Sequence, residues 1–497
     1  CCVSREGPDA AAFFCAPHML EPLIRSSLPR FQAIYDHAPA RARDWMASAR
    51  GWFLTQLRYA PETFDLLAEL RGHESWRDED IARYQIAALG RAVEHALANV
   101  PFYASYPRAV IRTLDDLRRL PVLRRETLRE HQEEFLSRDT PALRRIRAGT
   151  TGTTGANLQV AYTEELARAN WALLLRQWTW AGVVAREPRV TLFGARVVPA
   201  SAIAPPFWAH NSPERQTLMS IFHLGERTAP AYVVFLREHQ GQILEGFPSV
   251  LGILADFVLE RGEPIPMRAI FTSGEPLLPH LRKKIERAFA ARAFDSYGMT
   301  EYCGMIQECE SGGMHLIPEF GLLEILDEHD QPVPAGQEGY FVWTGFLNRA
   351  MPLLRYRIGD RGRAQTGRPC ACGRAFPLVV PTITRESDIL RCPDGRIFSP
   401  RALNQILKRS SGLRFCQFVH DGRERVMVRA VASVLNSEGS KDGGCESTPG
   451  AAGSAAEICA SLRQLLGPEL TVSWQLAREP IVRPGGKIPL IVKQVTP

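Results

Sequence analysis

Behind Gly149 the chain runs Thr150, Thr151, Gly152, Thr153, Thr154 and Gly155, so each position carries a short hydroxyl side chain or no side chain at all. Glycine lets backbone N–H groups come close to a polyphosphate, and threonine adds donors with little bulk. The run is a candidate phosphate loop, with an ordinary surface turn as the alternative. No Gly-Lys-Ser/Thr ends it, which excludes a Walker loop, and the next residue, Ala156, carries no charge. Four further groups follow in order: Ser273-Gly274-Glu275-Pro276 and Asp295-Ser296-Tyr297-Gly298-Met299-Thr300-Glu301, each with a short apolar run, then Arg355-Tyr356-Arg357-Ile358-Gly359-Asp360 and Gly485-Gly486-Lys487. Glu301 offers a carboxylate at a strand-turn, suited to a Mg²⁺ ion that bridges phosphate oxygens. A solvated loop glutamate is the alternative.

A second constellation consists of Cys309, His315, Cys370 and Cys372. Three thiolates and an imidazole satisfy tetrahedral Zn²⁺, and such closed sites are structural. The competing reading takes the cysteines as small apolar residues of a core. Cys303 is a spare thiol that could replace a ligand or simply pack. Eleven cysteines among 497 residues, clustered near these motifs, favour metal over a disulfide scaffold.

The elements that must position these groups are legible in outline. From about Leu20 to Val100, apolar residues such as Trp45, Trp52, Phe53, Leu57, Phe64 and Leu67 recur at threes and fours, which predicts a helical lead-in reaching to about residue 120. After Ile146, short apolar runs alternate with helical stretches, the pattern of an α/β body. RVTLFGA, RAIFTSGE and AFDSYGMTE read as strands, LLPHLRKKIERAFAAR as a helix, and GLLEILDEHDQPVPAGQEGYFVWTGF as a hairpin turning at VPAGQEG. The expected fold class is α/β, a large N-terminal body over 19–386 with a small, mobile C-terminal α+β domain over 387–497. Within the latter, 435–457 is rich in Gly, Ser and Ala and is expected to be disordered. Residues 1–18, ahead of Met19, are set aside as an extension.

Composition narrows the function classes. With 45% apolar and 23% charged residues the chain can bury large cores, and the net charge of +6 is spread without lysine blocks or basic helices, which argues against nucleic acid. No apolar run reaches the roughly 18 residues that span a bilayer. The expectation is a cytoplasmic protein acting on small anionic substrates, with no membrane partner. A homodimer is compatible with all of this. The stretch from Phe193 to Trp208 is a candidate wall for an apolar acyl pocket, with core packing equally good, and His223 is expected to be a core histidine.

Taken together and in order, these motifs resemble the adenylate-forming superfamily of acyl-CoA synthetases. The similarity runs from roughly Leu57 to Val495 and is greatest to the phenylacetate-CoA ligase branch with its coenzyme F390 synthetase-like and capsule-biosynthesis-like relatives. The resemblance implies ATP and Mg²⁺ as cofactors, with 150–155 and 273–276 around the nucleotide and 296–300 beside it. Tyr297 would stack at the adenine, Asp360 would bind the ribose hydroxyls, and Glu301 would hold Mg²⁺. It makes Arg385 the arginine of a hinge that pivots at Asp388, although Thr384 stands where the hinge motif has Gly. Lys487 becomes the catalytic lysine, an ammonium on a glycine-flexed loop that meets the carboxylate and α-phosphate oxygens as charge develops. Cys309, His315 and the CACGR run match a Cys…His…CxCGR pattern common in this branch, which implies structural Zn²⁺. The expected activity is activation of a carboxylic acid, aromatic in the default reading, as its acyl-adenylate, followed by transfer to coenzyme A. Transfer to an amine or hydroxyl, AMP transfer to a phenol, and a zinc-stabilised binding protein are the alternatives.

Overall fold

The helical period of the lead-in is realised as α1 (Ala40–Arg58), α2 (Pro61–Gly72) and α3 (Asp78–Asn99). In α3 the acidic start Asp78, Glu79, Asp80 complements the positive helix N-terminus, and one face buries Ile81, Ala88, Leu89, Ala92, Val93 and Ala96. α1 lies on the edge of the main sheet, and Gly51 in its middle makes this possible: a Cβ there would stand 1.7 Å from Asn211 Oδ1. α4 (Leu114–Arg118) and α5 (Arg125–Glu130) close the lead-in. The computed structural model describes residues 35, 37–107, 110–151, 157–195, 197–199, 201–225, 227–275, 277 and 279–381. Beyond these it describes 390–391, 397–398, 403, 406–407, 413–421, 425–432, 449–467, 470–477, 481 and 491–493.

A short strand, β1 (Leu123–Arg124), precedes a hairpin of β2 (Ile146–Thr151) and β3 (Asn157–Tyr162). Helix α6 (Glu164–Trp180) follows, its first turn capped by the Thr163 hydroxyl. The main sheet takes β4 (Arg189–Leu192), β5 (Trp208–Asn211), β6 (Gln216–Met219), β7 (Ile243–Gly246), β8 (Ala269–Ser273), β9 (Ala293–Gly298), β10 (Met305–Glu308) and β11 (Met314–Leu316). Its order is β11-β10-β9-β8-β7-β4-β6-β5. Strands β9, β8, β7, β4 and β6 run parallel. Parallel neighbours need crossovers, and α7 (Ala229–Glu238), α8 (Pro248–Glu260) and α9 (Pro279–Phe289) supply them. The chain leaves β4 first toward β6 and then toward β7, so the strand order reverses there. Such a reversal opens a crevice at the strands' carboxyl ends, where ligands of open α/β sheets bind.

A second sheet is built from β12 (Gly321–Leu326), β13 (Gly339–Gly345), β14 (Tyr356–Ala364) and β15 (Val379–Pro381), with β1 paired to β14. β12 and β13 form the hairpin expected around VPAGQEG. Downstream, β16 (Leu390–Arg391) pairs with β17 (Ile397–Phe398), and β18 (Leu413–His420), β19 (Arg425–Ala432), β20 (Thr471–Leu476) and β21 (Ile491–Lys493) form a mixed sheet of order β20-β19-β18-β21. Helix α10 (Pro449–Leu466) packs on β19 and β20. Of the span 435–457, expected to be disordered, only the part from 449 onward lies among the described residues, and there the expectation is corrected. Residues 449–457 are helical, since their alanines favour helix and Ala455, Ile458, Cys459 and Leu462 bury at helical spacing. Residues 1–18 and 435–448 and the hinge at Arg385 to Asp388 lie outside the described residues. Among those described, no helix is long and apolar enough to cross a membrane.

Buried ion pairs bind the lead-in to the sheet. Arg58 of α1 reaches Glu214 at 2.7 and 2.9 Å, and Glu214 is shared with Arg189 of β4, which also faces Glu245 at 3.4 Å. Below the crevice, Asp295 of β9 accepts the Thr272 hydroxyl at 2.6 Å, while Glu308 takes the Asp295 N–H and the Arg282 guanidinium. Burial pushes the Asp295 carboxyl up to about 6, with the Thr272 hydrogen bond opposing. In the unfolded chain it titrates near pH 4, so the folded form retains a proton the unfolded form has lost. The stability this gives is fully present below about pH 4 and is lost as pH rises through about 6. Asp295→Asn is expected to flatten that fall in the urea midpoint. A pH slope as steep as the parent's would contradict it.

Candidate functional site

The site assembles along the carboxyl ends of the parallel strands. Phe193 follows β4, Phe247 follows β7, Ser273 ends β8 with Gly274 and Glu275 next, and Ser296, Tyr297 and Gly298 end β9. Ser273 and Ser296 are register partners, and Ser296 donates to Gln177 Oε1 at 2.7 Å. Gly274 has φ +84°, a conformation that a side chain would strain. At Gly298 a Cβ would meet nothing within 4 Å, so the backbone of the β9 end faces open space where a flat ligand can approach. Phe193 and Phe247 meet edge to face with centroids 5.3 Å apart. Phe207, at the far end of the candidate acyl wall, is instead buried between His223 and Tyr232. His223, only half-buried, shares hydrogen bonds with Ser220 Oγ at 2.8 Å and Pro199 O at 3.1 Å.

Beyond β9 the chain turns through Met299 and Thr300 and buries the Glu301 carboxylate, 3% exposed. The Tyr356 hydroxyl donates to Glu301 Oε1 at 3.1 Å, and the Arg125 guanidinium lies 3.9 Å from the same oxygen. Burial raises the Glu301 carboxyl above the usual range, while Arg125 and the Tyr356 hydrogen bond pull it back. From the other side, the Tyr297 hydroxyl donates to Asp360 Oδ2 at 2.7 Å. Glu301, Tyr356 and Arg125 thus form one group and Tyr297 and Asp360 another, and the Asp360 charge acts on both Glu301 and Arg125, so the lead-in, the main sheet and the second sheet contribute to one electrostatically coupled cluster. A carboxylate such as that of Glu301 is the donor chemistry Mg²⁺ takes alongside phosphates. Arg125 is the contribution that sequence reasoning missed. It opens α5 within RRETLRE, where nothing but proximity in space distinguishes it from its basic neighbours.

The candidate phosphate run falls in the β2–β3 hairpin. Thr150 pairs with Leu158 and Thr151 with Asn157, while Gly152, Thr153, Thr154, Gly155 and Ala156 lie outside the described residues, as do Pro276, Arg385 and Lys487. Two contacts bind β3 to the second sheet's loop: Asn348 Nδ2 donates to Ala161 O at 3.0 Å, and the Ala161 N–H meets Met351 Sδ at 3.5 Å. Tyr162, at the end of β3, packs on Tyr302 with centroids 5.0 Å apart, next to Glu301. The hairpin and the glutamate turn are thereby in contact.

On the far side of β10 the four metal-type residues come together. The ligand atoms of Cys309, His315, Cys370 and Cys372 all lie within 4.8 Å of one another, with Cys309 Sγ to Cys370 Sγ at 3.5 Å and Cys372 Sγ to His315 Nε2 at 3.3 Å. Donors around tetrahedral zinc stand roughly 3.5–3.8 Å apart, given Zn–S and Zn–N bonds of about 2.3 and 2.0 Å. His315 Nδ1–H donates to Phe376 O at 2.8 Å, which turns Nε2 toward the thiols with its lone pair available. Burial holds this imidazole toward its neutral form, the form that ligates. Cys303 is not in the cluster. It is buried behind Glu301, with its thiol against Met299 Sδ at 3.1 Å.

No protein-family model matches the chain. It is similar to CapK of Staphylococcus aureus, 24% identical over 419 residues, which covers 80% of this chain and 88% of that one. It is also similar to the phenylacetate-coenzyme A ligase of Thermus thermophilus, 26% identical over 327 residues, covering 63% and 72% respectively. Its fold matches the crystal structure of 2-hydroxyisobutyryl-CoA ligase in complex with 2-HIB-AMP and CoA in the thioesterification state, with a TM-score of 0.54 at 20% identity over 85% of this chain and 91% of that one. At that identity the likeness is one of fold.

One glycine makes the four-residue cluster possible. A Cβ at Gly313 would stand 2.7 Å from Cys370 Sγ and 3.1 Å from His315 Nε2. Gly313→Ala is therefore expected to spread the ligands and lower stability by roughly 1–3 kcal/mol, as overpacking does. The urea midpoint measures it, and a midpoint equal to the parent's would show that the cluster yields without cost.

Proposed function

Because the chain is a relative of the phenylacetate-coenzyme A ligases and of CapK and has the fold of an adenylate-forming ligase, we propose that it is an AMP-forming ligase that activates a carboxylic acid. A carboxylate oxygen attacks the α-phosphorus of ATP, and the bond to the bridging oxygen of pyrophosphate breaks. Coenzyme A thiol then attacks the acyl carbon, its proton is released, and AMP leaves. The observation that carries this reading is the gathering of Glu301, Arg125, Tyr356, Tyr297 and Asp360 into one cluster at the sheet's carboxyl edge, beside the open face of Gly298.

Each residue has a part in the proposal. Asp360 takes the ribose hydroxyls, and Gly298 gives the adenine room beside Tyr297. Glu301 holds Mg²⁺, which when bound neutralises phosphate charge. Arg125 supplies a fixed cation next to Glu301 and offsets the charge that Ala156 does not provide. Ser273, Gly274 and Glu275, with 150–155, border the nucleotide. The edge-to-face pair Phe193 and Phe247 gives the acyl side an aromatic wall, which suits an aromatic or bulky apolar acid. Lys487 contacts the reacting oxygens during adenylation, and the C-terminal part turns about Arg385 to Asp388 between the two half-reactions.

Cys309, His315, Cys370 and Cys372 hold a structural Zn²⁺ in this reading. It clips the loop after β14 to the β10–β11 hairpin, next to Arg374, which pairs with Glu74 and Glu310. Metal analysis is expected to find one zinc per chain and to lose it in the Cys370→Ser, Cys372→Ser variant. A fully folded parent without zinc would refute the assignment.

Acid-dependent ATP–pyrophosphate exchange over a panel of aryl, branched and fatty acids tests adenylation. Lys487→Ala is expected to slow exchange by about 10²-fold or more, the usual scale for losing a transition-state contact, while a supplied acyl-adenylate is still converted with coenzyme A. Undiminished exchange in this variant would remove the lysine from the mechanism. Absence of exchange with every acid in the parent would remove the reaction itself.

A further inference from the structure

Tyr297 lies at the end of β9, in the main sheet, and Glu301 four positions later, in the turn that follows. Tyr356 and Asp360 stand four positions apart in β14, in the second sheet. Each tyrosine gives its hydroxyl to the acid of the other segment: Tyr297 to Asp360 at 2.7 Å and Tyr356 to Glu301 at 3.1 Å. The two hydrogen bonds cross between sheets whose strands β9 and β14 are not ladder partners. We propose that this crossed pair is a positioning device, in which Tyr297 fixes Asp360 for the nucleotide and Tyr356 fixes Glu301 for the divalent cation. The proposal rests on the roles of Asp360 and Glu301 given above.

Three features set this apart from two phenols that merely find partners. First, both rings are anchored against the same aromatic layer. Tyr297 lies against Trp343 and Phe341, and Tyr356 is the register partner of Trp343. Second, β14 bulges where the exchange happens. The step from Tyr340 to Val342 on β13 is matched by the step from Arg361 to Arg357, so two residues face four, and Gly359 at φ +99° lies inside the bulge. A bulge of this kind re-aims a side chain, and here Asp360 is carried to the Tyr297 hydroxyl. Third, Tyr356 is held from behind. Its neighbour Arg355, at φ 47°, bonds to Glu324 at 2.9 and 3.0 Å and to the carbonyls of Arg118 and Leu120 at 3.1 and 2.6 Å. A conformation that costs energy is thus maintained at the residue that aims Tyr356.

Calorimetry separates the two halves. AMP is titrated without divalent cation, alongside 2′,3′-dideoxy-AMP, and Mn²⁺ is titrated into the ATP-loaded protein. The proteins are the parent, Tyr297→Phe, Tyr356→Phe, the double variant, Asp360→Asn and Glu301→Gln. Tyr297→Phe is expected to weaken AMP about tenfold, the scale of one hydrogen bond to a charged group, and to leave dideoxy-AMP and Mn²⁺ unchanged. Tyr356→Phe is expected to weaken Mn²⁺ by a similar factor and leave AMP unchanged. Phenylalanine preserves the ring packing, and thermal midpoints identify any variant that loses binding through unfolding. Tyrosine variants that bind both ligands like the parent, or that weaken both equally with a lowered midpoint, would overturn the proposal. If Asp360→Asn and Glu301→Gln still lose their ligands in that case, the strap alone falls. If those variants also bind normally, the strap falls together with the assigned roles of the two acids.

Discussion

Two carboxylates carried by different segments, Glu301 and Asp360, come within electrostatic reach of each other, and the packing around them holds them there. Glu301 arrives on the turn after β9 and Asp360 on β14, and no shared backbone ladder holds them in register. Their separation is set by side-chain hydrogen bonds and by the aromatic layer of Tyr297, Phe341 and Trp343 that fills the space between the sheets. Close packing of this kind deforms little, so it transmits position well. Glycines allow the approach: a Cβ at Gly304 would enter the Trp343 ring, and one at Gly321 would strike the Cys303 carbonyl at 2.2 Å.

Burying acids is costly unless cations or donors accompany them, and the fold meets this in a repeated way. Glu301 has Arg125 and Tyr356. Glu319 has Arg176 at 2.7 Å and His73 at 3.1 Å, and Glu214 has Arg58 and Arg189. In each group a residue from the N-terminal lead-in meets one from the α/β body. The lead-in is therefore tied into the body, because it supplies each of these acids with a second partner beside the one the body itself provides. Arg125 extends this logic to the turn after β9, where its guanidinium compensates the buried Glu301 carboxylate.

The Cys309–His315–Cys370–Cys372 cluster occupies the opposite side of the β9–β10 hairpin from the Glu301 turn. It is embedded in the lead-in contacts, since Arg374 lies over the Trp180 ring at 4.5 Å and pairs with Glu74. Its geometry couples the loop after β14 to β11, and His315 bridges to Leu378 in the backbone as well. The strand that carries Tyr356 and Asp360 is thereby pinned at its far end.

The order of motifs along the chain, the helical lead-in, the alternating body and the β12–β13 hairpin follow from residue type and spacing alone, because periodicity and turn chemistry are local properties. The residue types at Glu301, Asp360 and the four metal-type positions were likewise legible, since their chemistry belongs to the side chains themselves. Partnership was not legible. Tyr297 meets Asp360 across 63 positions and Tyr356 meets Glu301 across 55, while Arg125 reaches Glu301 from a segment with no distinguishing mark. The helix over 449–457 was hidden for a related reason. Its Gly, Ser and Ala composition is that of a linker, and only burial against β19 and β20 selects the helix. Sequence determines which groups are available and in what order they come. The packing of one sheet against another decides which of them touch, because contact between distant segments depends on how whole elements fill space together.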